Sequence, residues 1–208
     1  MESVLDLYGE RHDPRRPVVC FDEASKELHA HAKEPLPAQP GKVRREDYEY
    51  QRLGTVNLFL ACCPRRGWRH VEVTPQRTYQ EVARQLQALV DVHFPEAQKV
   101  RLVLDNLNTH TPAALYETFP ADEAARILAR LEFHYTPKHA SWLNMAEMEW
   151  SVLTRQVLDQ RFPNQASLKR AIAAWQKHRN KTAAPIRWCF STTLARRKLA
   201  HLYPVKLM

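Results

Sequence analysis

The sequence lacks the features of several common protein classes. Only 4 of its 208 residues are glycine, which argues against a glycine-rich phosphate-binding loop. Its 4 cysteines form no C-x-x-C pair with histidines at the spacing of a zinc site, so we interpret them as reduced thiols. No apolar run approaches the roughly 20 residues of a membrane-spanning helix, and none follows a basic start as in a secretion signal. We therefore expect neither secretion nor a membrane partner.

Positive charge is in excess. The chain has 31 Lys and Arg against 23 Asp and Glu, for a formal net charge of +8. Clustered cations gain free energy by releasing counterions from a phosphate backbone, so this charge favours a nucleic-acid partner. A basic surface that only keeps the protein dissolved would explain it equally well. The length and the 44% hydrophobic content fit one domain with a single core.

The order of apolar runs and turn signals predicts an α/β domain with a mixed sheet flanked by helices. This order of elements is that of a ribonuclease-H-like fold. The predicted elements are an irregular charged segment at 1–16, a short strand at 17–21, a long peripheral and mobile loop at 34–52, hairpin strands at 54–63 and 68–74, a helix at 79–92, a strand at 100–104, a helix at 122–131, a strand at 132–135, a helix at 142–160 capped by Ser141, a helix capped by Asn164 or Ser167, and a final helix within 185–208.

Two aspartates follow buried apolar strands. Asp22 ends the run at 17–21, and Asp105 ends the run at 100–104. A carboxylate beside a core is costly unless it is paired or bound to metal. Magnesium prefers carboxylate oxygens, and two such ions can serve the attacking and leaving oxygens of a phosphoryl transfer. Taken singly, each aspartate is equally well an ordinary strand-end or turn residue.

A third acid is available on the helix that begins near residue 142, which carries Glu147 and Glu149. Two residues on a helix are separated by about 200°, so only one of them can face a given site. Asn144 and Trp150 lie three residues to either side of Glu147 and share its face, which favours Glu147. A glutamate on a helix is more often a surface residue, so its position alone decides nothing.

Four strings resemble the bacterial transposases of the insertion sequence 630 family, which are relatives of the mariner elements. They are CFDEA at 20–24, RLGTVNLFLAC at 52–62, LVLDNLNTH at 102–110 and YTPKHASWLNMAEMEW at 135–150. The resemblance extends over residues 17–204. It implies a ribonuclease-H-like DDE catalytic domain at 17–204, with residues 1–16 as an N-terminal extension and 205–208 as a tail.

The resemblance also implies a catalytic, metal-binding triad. The first acid is Asp22 in the FDE string, the second Asp105 in the LDN-x-x-x-H string, and the third Glu147, although Met145 and Ala146 stand where the family has Pro-Ile. The implied cofactors are two Mg²⁺ or Mn²⁺ ions. The implied activity is nicking of double-stranded DNA at the ends of an insertion sequence, followed by attack of the freed 3′ hydroxyl on target DNA.

Partners and location follow from the same resemblance. Family members carry a helix-turn-helix DNA-binding region ahead of this domain, whereas only residues 1–16 precede the first strand here. A separate helix-turn-helix polypeptide is therefore an expected partner, beside DNA and a second copy of the chain in a homodimer. The expected location is the bacterial cytoplasm, in association with the nucleoid.

Basic side chains outside the triad are candidates for DNA contact, although an exposed basic loop without a ligand is an equal alternative for several of them. The candidates are Lys42, Arg44, Arg45, Arg52, His110, Lys138 and His139. A second, nonspecific set lies on a C-terminal helix and comprises Lys169, Arg170, Lys177 and Arg179.

Two other functions remain open. A ribonuclease-H-fold nuclease would use a similar acidic cluster, but the transposase-like strings outside the triad argue against it. A catalytically silent, transposase-derived DNA-binding protein is favoured by the absent helix-turn-helix region and disfavoured by the retention of all three acids. Metal-dependent nicking of DNA would distinguish an enzyme from such a binder.

Overall fold

The computed structural model describes residues 1–203. The strands of its sheet are β1 Val18–His31, β2 Tyr50–Cys63, β3 Trp68–Thr74, β4 Val100–Leu104 and β5 Leu131–Tyr135. The helices are α1 Glu2–Gly9, α2 Tyr79–Ala88, α3 Ala113–Thr118, α4 Ala121–Ala129, α5 Ala146–Leu153, α6 Gln165–Thr182 and α7 Thr192–Lys198. Single π-helical turns, Leu89–His93 and Thr154–Leu158, continue α2 and α5, and 3₁₀ turns lie at Ser141–Leu143 and Ala200–Leu202.

The sheet is mixed, as the sequence predicts. Its strand order is β3-β2-β1-β4-β5. The first three strands form an antiparallel meander, while β4 runs parallel to both β1 and β5. The predicted hairpin is confirmed, with Cys63 opposite Trp68 across the turn. At Gly67 φ is +64°, and an added Cβ would lie 2.2 Å from the carbonyl oxygen of Ala183, so the turn requires glycine.

Both faces of the sheet are covered. Side chains alternate along β1, so Cys20 points into a core layer with α5 and α6, while Phe21 points into the opposite layer with α2, α3 and α4. Because helices cover both faces, the central strands are apolar on both sides. Within the described residues no helix has the length and apolarity needed to cross a membrane.

The N-terminal segment is not irregular, which corrects the prediction for residues 2–9. Val4, Leu7 and Tyr8 of α1 lie in the same core layer as Cys20. The Tyr8 hydroxyl donates a 2.8 Å hydrogen bond to the carbonyl oxygen of Leu143, just before α5. These apolar residues recur at helical spacing between charged ones, a short amphipathic pattern that the high charge of the segment concealed. Thus α1 packs against the core and stabilises the turn that precedes α5.

β1 is longer than predicted, and Asp22 lies in its middle. Its pairing with β2 continues from Cys20 opposite Cys62 to His31 opposite Tyr50, whereas its pairing with β4 covers only residues 18–20. Hydrogen bonds to β2 therefore keep residues 23–31 extended despite their polar sequence. The first residues of β2 also shorten the predicted loop, because Arg52 belongs to β2. Residues 32–49 form the connection, with two isolated bridges.

The segment before α5 departs from the predicted continuous helix. A 3₁₀ turn at Ser141–Leu143 is followed by a break at Asn144, whose side-chain oxygen accepts a 3.1 Å hydrogen bond from the backbone N–H of Ala146. Ser141 therefore does not cap α5. The predicted cap at Asn164 is confirmed by a 2.8 Å bond from the Ser167 N–H. The final helix is α7, α3 was not predicted, and the predicted tail at 205–208 lies outside the described residues.

Candidate active site

The two predicted aspartates lie side by side at one edge of the parallel strand pair. Cys20 of β1 is in register with Val103 of β4, and Asp22 and Asp105 each follow two residues later. β4 ends at Leu104 while β1 continues, so the edge of β1 beyond Cys20 has no parallel neighbour. Asp22 therefore lies at an open notch in the sheet, with Asp105 at its rim.

Glu147, in the first turn of α5, is the third acid at this notch. Its exposed side chain lines a groove together with Asp22, Lys26 and Trp150. We call this groove the acid cleft. Burial, Glu147 and Asp105 together raise the pKa of Asp22 to about 7, against a backbone hydrogen bond from Glu23 that lowers it. Burial and the charges of the other two acids thus disfavour the ionised form of Asp22.

Asn144 and Trp150 attach α5 to β1 around Asp22. The buried side-chain amide of Asn144 donates a 2.8 Å hydrogen bond to the carbonyl oxygen of Phe21, the residue before Asp22. The indole Nε1 of Trp150 donates to Asp22 Oδ2 at 3.0 Å, and the Glu23 N–H donates to Oδ1 at 2.9 Å. The spacing in the string at 135–150 thus places one positioning residue on each side of Glu147, Asn144 before it and Trp150 after it.

A buried histidine connects a fourth carboxylate to the site. His110 is fully buried, and its Nε2 lies 2.5 Å from Glu23 Oε2 while its Nδ1 lies 2.6 Å from Asp105 Oδ1. Burial alone would lower the pKa of His110, but hydrogen bonds with Asp105 and Glu23 raise it to about 9. Glu23 faces the sheet side opposite to Asp22, as strand alternation requires. Sequence reasoning missed Glu23, although this alternation was a usable signal.

The burial of His110 corrects one predicted contact. A side chain with no exposed surface, held between two carboxylates, does not reach a DNA phosphate in this conformation. Its Nδ1 contacts both the backbone carbonyl oxygen of Asp105, at 3.3 Å, and the carboxylate of Asp105, and so limits the movement of that carboxylate. His110 is therefore a positioning residue of the acid cleft.

Glu149 points away from the acid cleft, as predicted. Its carboxylate is 2% exposed and pairs with the equally buried Arg69 of β3, with Nη2 to Oε1 at 2.6 Å and Nε to Oε2 at 3.2 Å. Arg179 of α6 approaches the same carboxylate at 3.3 Å. The carbonyl oxygens of Gly67, Arg179 and Ala184 accept the remaining Arg69 N–H groups. This cluster fastens α5 to β3 and α6.

The carboxylates of Asp22, Asp105 and Glu147 are suitable ligands for a hard divalent cation, although they are not grouped around one metal position in this structure. In residues 1–203 no three His, Cys, Asp or Glu side chains are arranged to hold one metal ion. The donor set of Asp22, Asp105 and Glu147 consists of carboxylates only, the ligands that Mg²⁺ prefers. Their mutual repulsion, expressed in the raised pKa of Asp22, is what a bound cation would relieve.

Apart from His110 and the partly buried Arg179, the predicted basic residues are exposed. Lys42, Arg44 and Arg45 lie in the connection between β1 and β2, and Arg52 lies on β2. Lys138 and His139 follow β5, whose parallel neighbour β4 leads into Asp105, so they lie at the same edge of the sheet as the acid cleft.

Comparisons with known proteins agree with this architecture. A family model described as "DDE superfamily endonuclease" matches residues 17–169. The Mos1 mariner paired-end complex with Mn matches with a TM-score of 0.59 at 18% identity, over 88% of this chain and 54% of that one. The Mos1 strand transfer complex gives 0.60 at 16% identity over the same shares, and a pre-cleavage Mos1 transpososome gives 0.56 at 15% identity, over 88% and 59%. No curated protein sequence matches.

The structural likeness shows the fold, which is the ribonuclease-H-like fold of Mos1 transposase. The chain spans about half the length of these Mos1 chains. Membership of the insertion sequence 630 family in particular stays a prediction. The family model, in contrast, matches well over half of the chain, from before β1 into α6. The chain therefore belongs to the DDE superfamily endonuclease family.

Proposed function

We propose that this chain is the catalytic domain of a DNA transposase of the insertion sequence 630 type, which cleaves and transfers DNA strands with the help of divalent metal ions. One observation carries the proposal: Asp22 and Asp105 are in register on parallel strands, and burial together with the charges of Glu147 and Asp105 raises the pKa of Asp22. A purely structural role would not require two further carboxylates to disfavour the ionisation of a partly buried third one.

In the proposed mechanism, Asp22, Asp105 and Glu147 hold two Mg²⁺ or Mn²⁺ ions. When bound, such ions activate the attacking water or 3′ hydroxyl and stabilise the leaving oxygen. The protein's own contribution is preorganisation. Trp150 and the Glu23 N–H orient the Asp22 carboxylate, and His110 orients that of Asp105. These bonds limit the freedom of the acids before substrate arrives.

The relatives support the choice of substrate and metal. The matched Mos1 structures are paired-end and strand transfer complexes, and two of them contain Mn or Mg. We propose the same partners here, namely double-stranded DNA of element ends and target, with two copies of the chain acting together. Lys138 and His139, beside the acid cleft, would contact phosphates close to the cleavage point.

The test is nicking of supercoiled plasmid and of labelled duplex DNA in Mg²⁺ or Mn²⁺ by the parent and by Asp22→Asn and Asp105→Asn. The amide keeps the shape of each side chain but removes the anion that holds the metal, so both variants should stop cutting. DNA binding should be unchanged or slightly stronger, because less negative charge faces the phosphate. Asp122→Asn, on the exposed start of α4, is the matched control and should cut like the parent.

Each outcome separates the candidate functions. A variant of either aspartate that cuts at the parent rate would exclude the triad. A parent that binds DNA but never cuts in either metal would favour the silent DNA-binding protein. Cleavage of the RNA strand of a hybrid, with DNA left intact, would favour a ribonuclease-H-fold nuclease.

The basic connection between β1 and β2 is proposed as a DNA-contact surface. Lys42, Arg44, Arg45 and Arg52 are exposed, although Arg44 is paired with Glu46 at 2.7 Å. Replacing all four with Ala should reduce the steepness with which DNA affinity falls with salt, by up to roughly 0.9 log units per lost phosphate contact. An unchanged salt dependence would exclude this surface.

A further inference from the structure

A second groove lies on the other side of Glu147. Its walls are α5, the end of α6 and residues 184–187. We call it the flank groove. The side chains that bear on its chemistry are Trp142, Met148, Arg155, Arg179 and Arg187. Trp142 and Met148 lie in the string at 135–150, but the acid cleft does not account for their exposure.

The aromatic surface of the flank groove is fixed in place yet open to solvent. Trp142 is 44% exposed, and its ring packs against Phe190 with centroids 5.5 Å apart at an interplanar angle of 73°. Met148 on α5 is 46% exposed. An indole that packs against another ring and leaves nearly half of its surface exposed offers a stacking surface for a planar ligand.

The charge of the flank groove is positive. Arg155 and Arg187 are exposed, and neither forms an ion pair within residues 1–203. Arg179 approaches Glu149, but the buried Arg69 already neutralises that carboxylate, so the cluster keeps one uncompensated positive charge. Glu147 is the one unpaired acid on the lining, and it belongs equally to the acid cleft. The groove therefore complements an anionic ligand that also reaches the acid cleft.

We propose that the flank groove binds a single-stranded DNA segment adjoining the scissile phosphate, with an unpaired base stacked on Trp142 and its phosphates near Arg155 and Arg187. The proposal rests on the DNA-cleaving function proposed above. Duplex DNA would use the arginines but not the indole, because paired bases are already stacked on each other. The combination of an exposed indole with free guanidinium groups is instead typical of single-strand binding.

The proposal is tested by DNA binding without divalent metal, so that cleavage does not enter. Fluorescence anisotropy compares a blunt duplex with the same duplex carrying a single-stranded tail that contains 2-aminopurine. For the parent we expect tighter binding of the tailed DNA. Trp142→Ala should weaken binding of the tailed DNA by about tenfold and leave the blunt duplex unchanged, as for the loss of one stacked base.

Matched variants exclude nonspecific effects. Trp142→Phe keeps an aromatic surface and should restore most of the affinity, with partial recovery of the quenching of 2-aminopurine. Tyr116→Ala removes a comparably exposed aromatic from α3, on the opposite core layer, and should bind like the parent. If Trp142→Ala proves unstable, Arg155→Gln with Arg187→Gln gives an independent readout, a salt slope for tailed DNA lower by about 1.4.

The result also distinguishes this proposal from the function on which it rests. A parent that cuts DNA, with Trp142→Ala binding tailed and blunt DNA as the parent does, would overturn the flank groove alone. If the parent never cuts DNA, but Trp142→Ala lacks the parent's preference for tailed DNA, the proposed DNA-binding role of the flank groove stands and the proposed cleavage is wrong. If Trp142→Ala changes only the oligomeric state, the groove is a contact between proteins and the proposal is wrong.

Discussion

Two glutamates on α5, two residues apart, lie in opposite environments. Glu147 is exposed in the acid cleft, where it adds negative charge to a group of acids and raises the pKa of Asp22. Glu149 is 2% exposed and is compensated by two arginines, one of them fully buried beside it. The helix thus holds an uncompensated carboxylate on one side and an over-compensated one on the other.

The difference separates a carboxylate suited to function from one that serves the fold. A buried ion pair adds little net stability, but removal of one partner is costly because the other charge is left unpaired. An exposed acid that repels its neighbours adds no stability and is retained at some cost. This distinction can be tested by removing the charge of Glu147, Glu149 or Arg69 and measuring whether activity or stability changes.

The largest expected effect is the loss of activity in Glu147→Gln. We expect cleavage in Mg²⁺ to fall by roughly 10³-fold, or about 4 kcal/mol, because the amide no longer serves as an anionic metal ligand. Its melting temperature should match that of the parent, since the side chain is exposed. The same substitution at Glu149 should lower the melting temperature instead. Equal melting losses in the two variants would remove the distinction between them.

The next effect concerns the buried cluster. Arg69→Met should cost about 3 kcal/mol of unfolding free energy, measured in urea, because it leaves the Glu149 carboxylate buried with only the 3.3 Å contact to Arg179. Arg84→Met, which removes an exposed ion pair with Glu81 on α2, is the control and should change stability by less than about 0.5 kcal/mol. If the two variants lose the same stability, the cluster has no special role in holding α5.

Much of this comparison was accessible from sequence. Helical geometry alone placed Glu147 and Glu149 on different faces, and the apolar run at 100–104 predicted both β4 and the position of Asp105 after it. The hairpin from β2 to β3 followed from its turn residues and β-prone runs. In each case the signal is local, since it depends on the periodicity of one segment or on one short turn.

The missed features depend on contacts between distant segments. Residues 23–31 carry only a weak alternation of apolar residues, at Ala24, Leu28 and Ala30, and pairing with β2 keeps them extended. Glu23 and His110 are 87 residues apart, and only the parallel register of β1 and β4 brings them together. The partner of Glu149 was equally inaccessible, because Arg69 lies on a different strand. Such pairings override local preference, which is why the positioning residues were harder to predict than the acids.

A smaller effect tests the charge state of the acid cleft. The pKa of Asp22 is about 7 in the folded protein and 3.8 for an unperturbed aspartate, so the folded state binds more protons at Asp22 between these values. Without metal, the contribution of Asp22 to stability should therefore fall as pH rises from about 4 to 7. Asp22→Asn should be more stable than the parent by about 2 kcal/mol at pH 8 and equally stable at pH 3.5.

Metal provides the control for that experiment. Mg²⁺ should raise the melting temperature of the parent at pH 8 and leave Asp22→Asn unchanged, since the cation stabilises the ionised carboxylate. Thermal unfolding in EDTA and in Mg²⁺ over this pH range measures both effects. A stability difference between the parent and Asp22→Asn that stays flat between about pH 4 and 7 in EDTA would show that the pKa of Asp22 is not raised.

The smallest effect isolates one hydrogen bond in the acid cleft. Trp150→Phe keeps an aromatic ring but removes the Nε1 donor that lies 3.0 Å from Asp22 Oδ2. The ionised carboxylate loses about 1 kcal/mol of stabilisation, so cleavage should slow about fivefold and its pH profile should shift to higher pH. Trp175→Phe loses a similar bond, 2.8 Å to Gln156 Oε1, away from the acids. It should lose similar stability with no shift of the pH profile. A shift of equal size in both variants would mean that Trp150 acts through packing, and that Asp22 does not depend on the indole for its orientation.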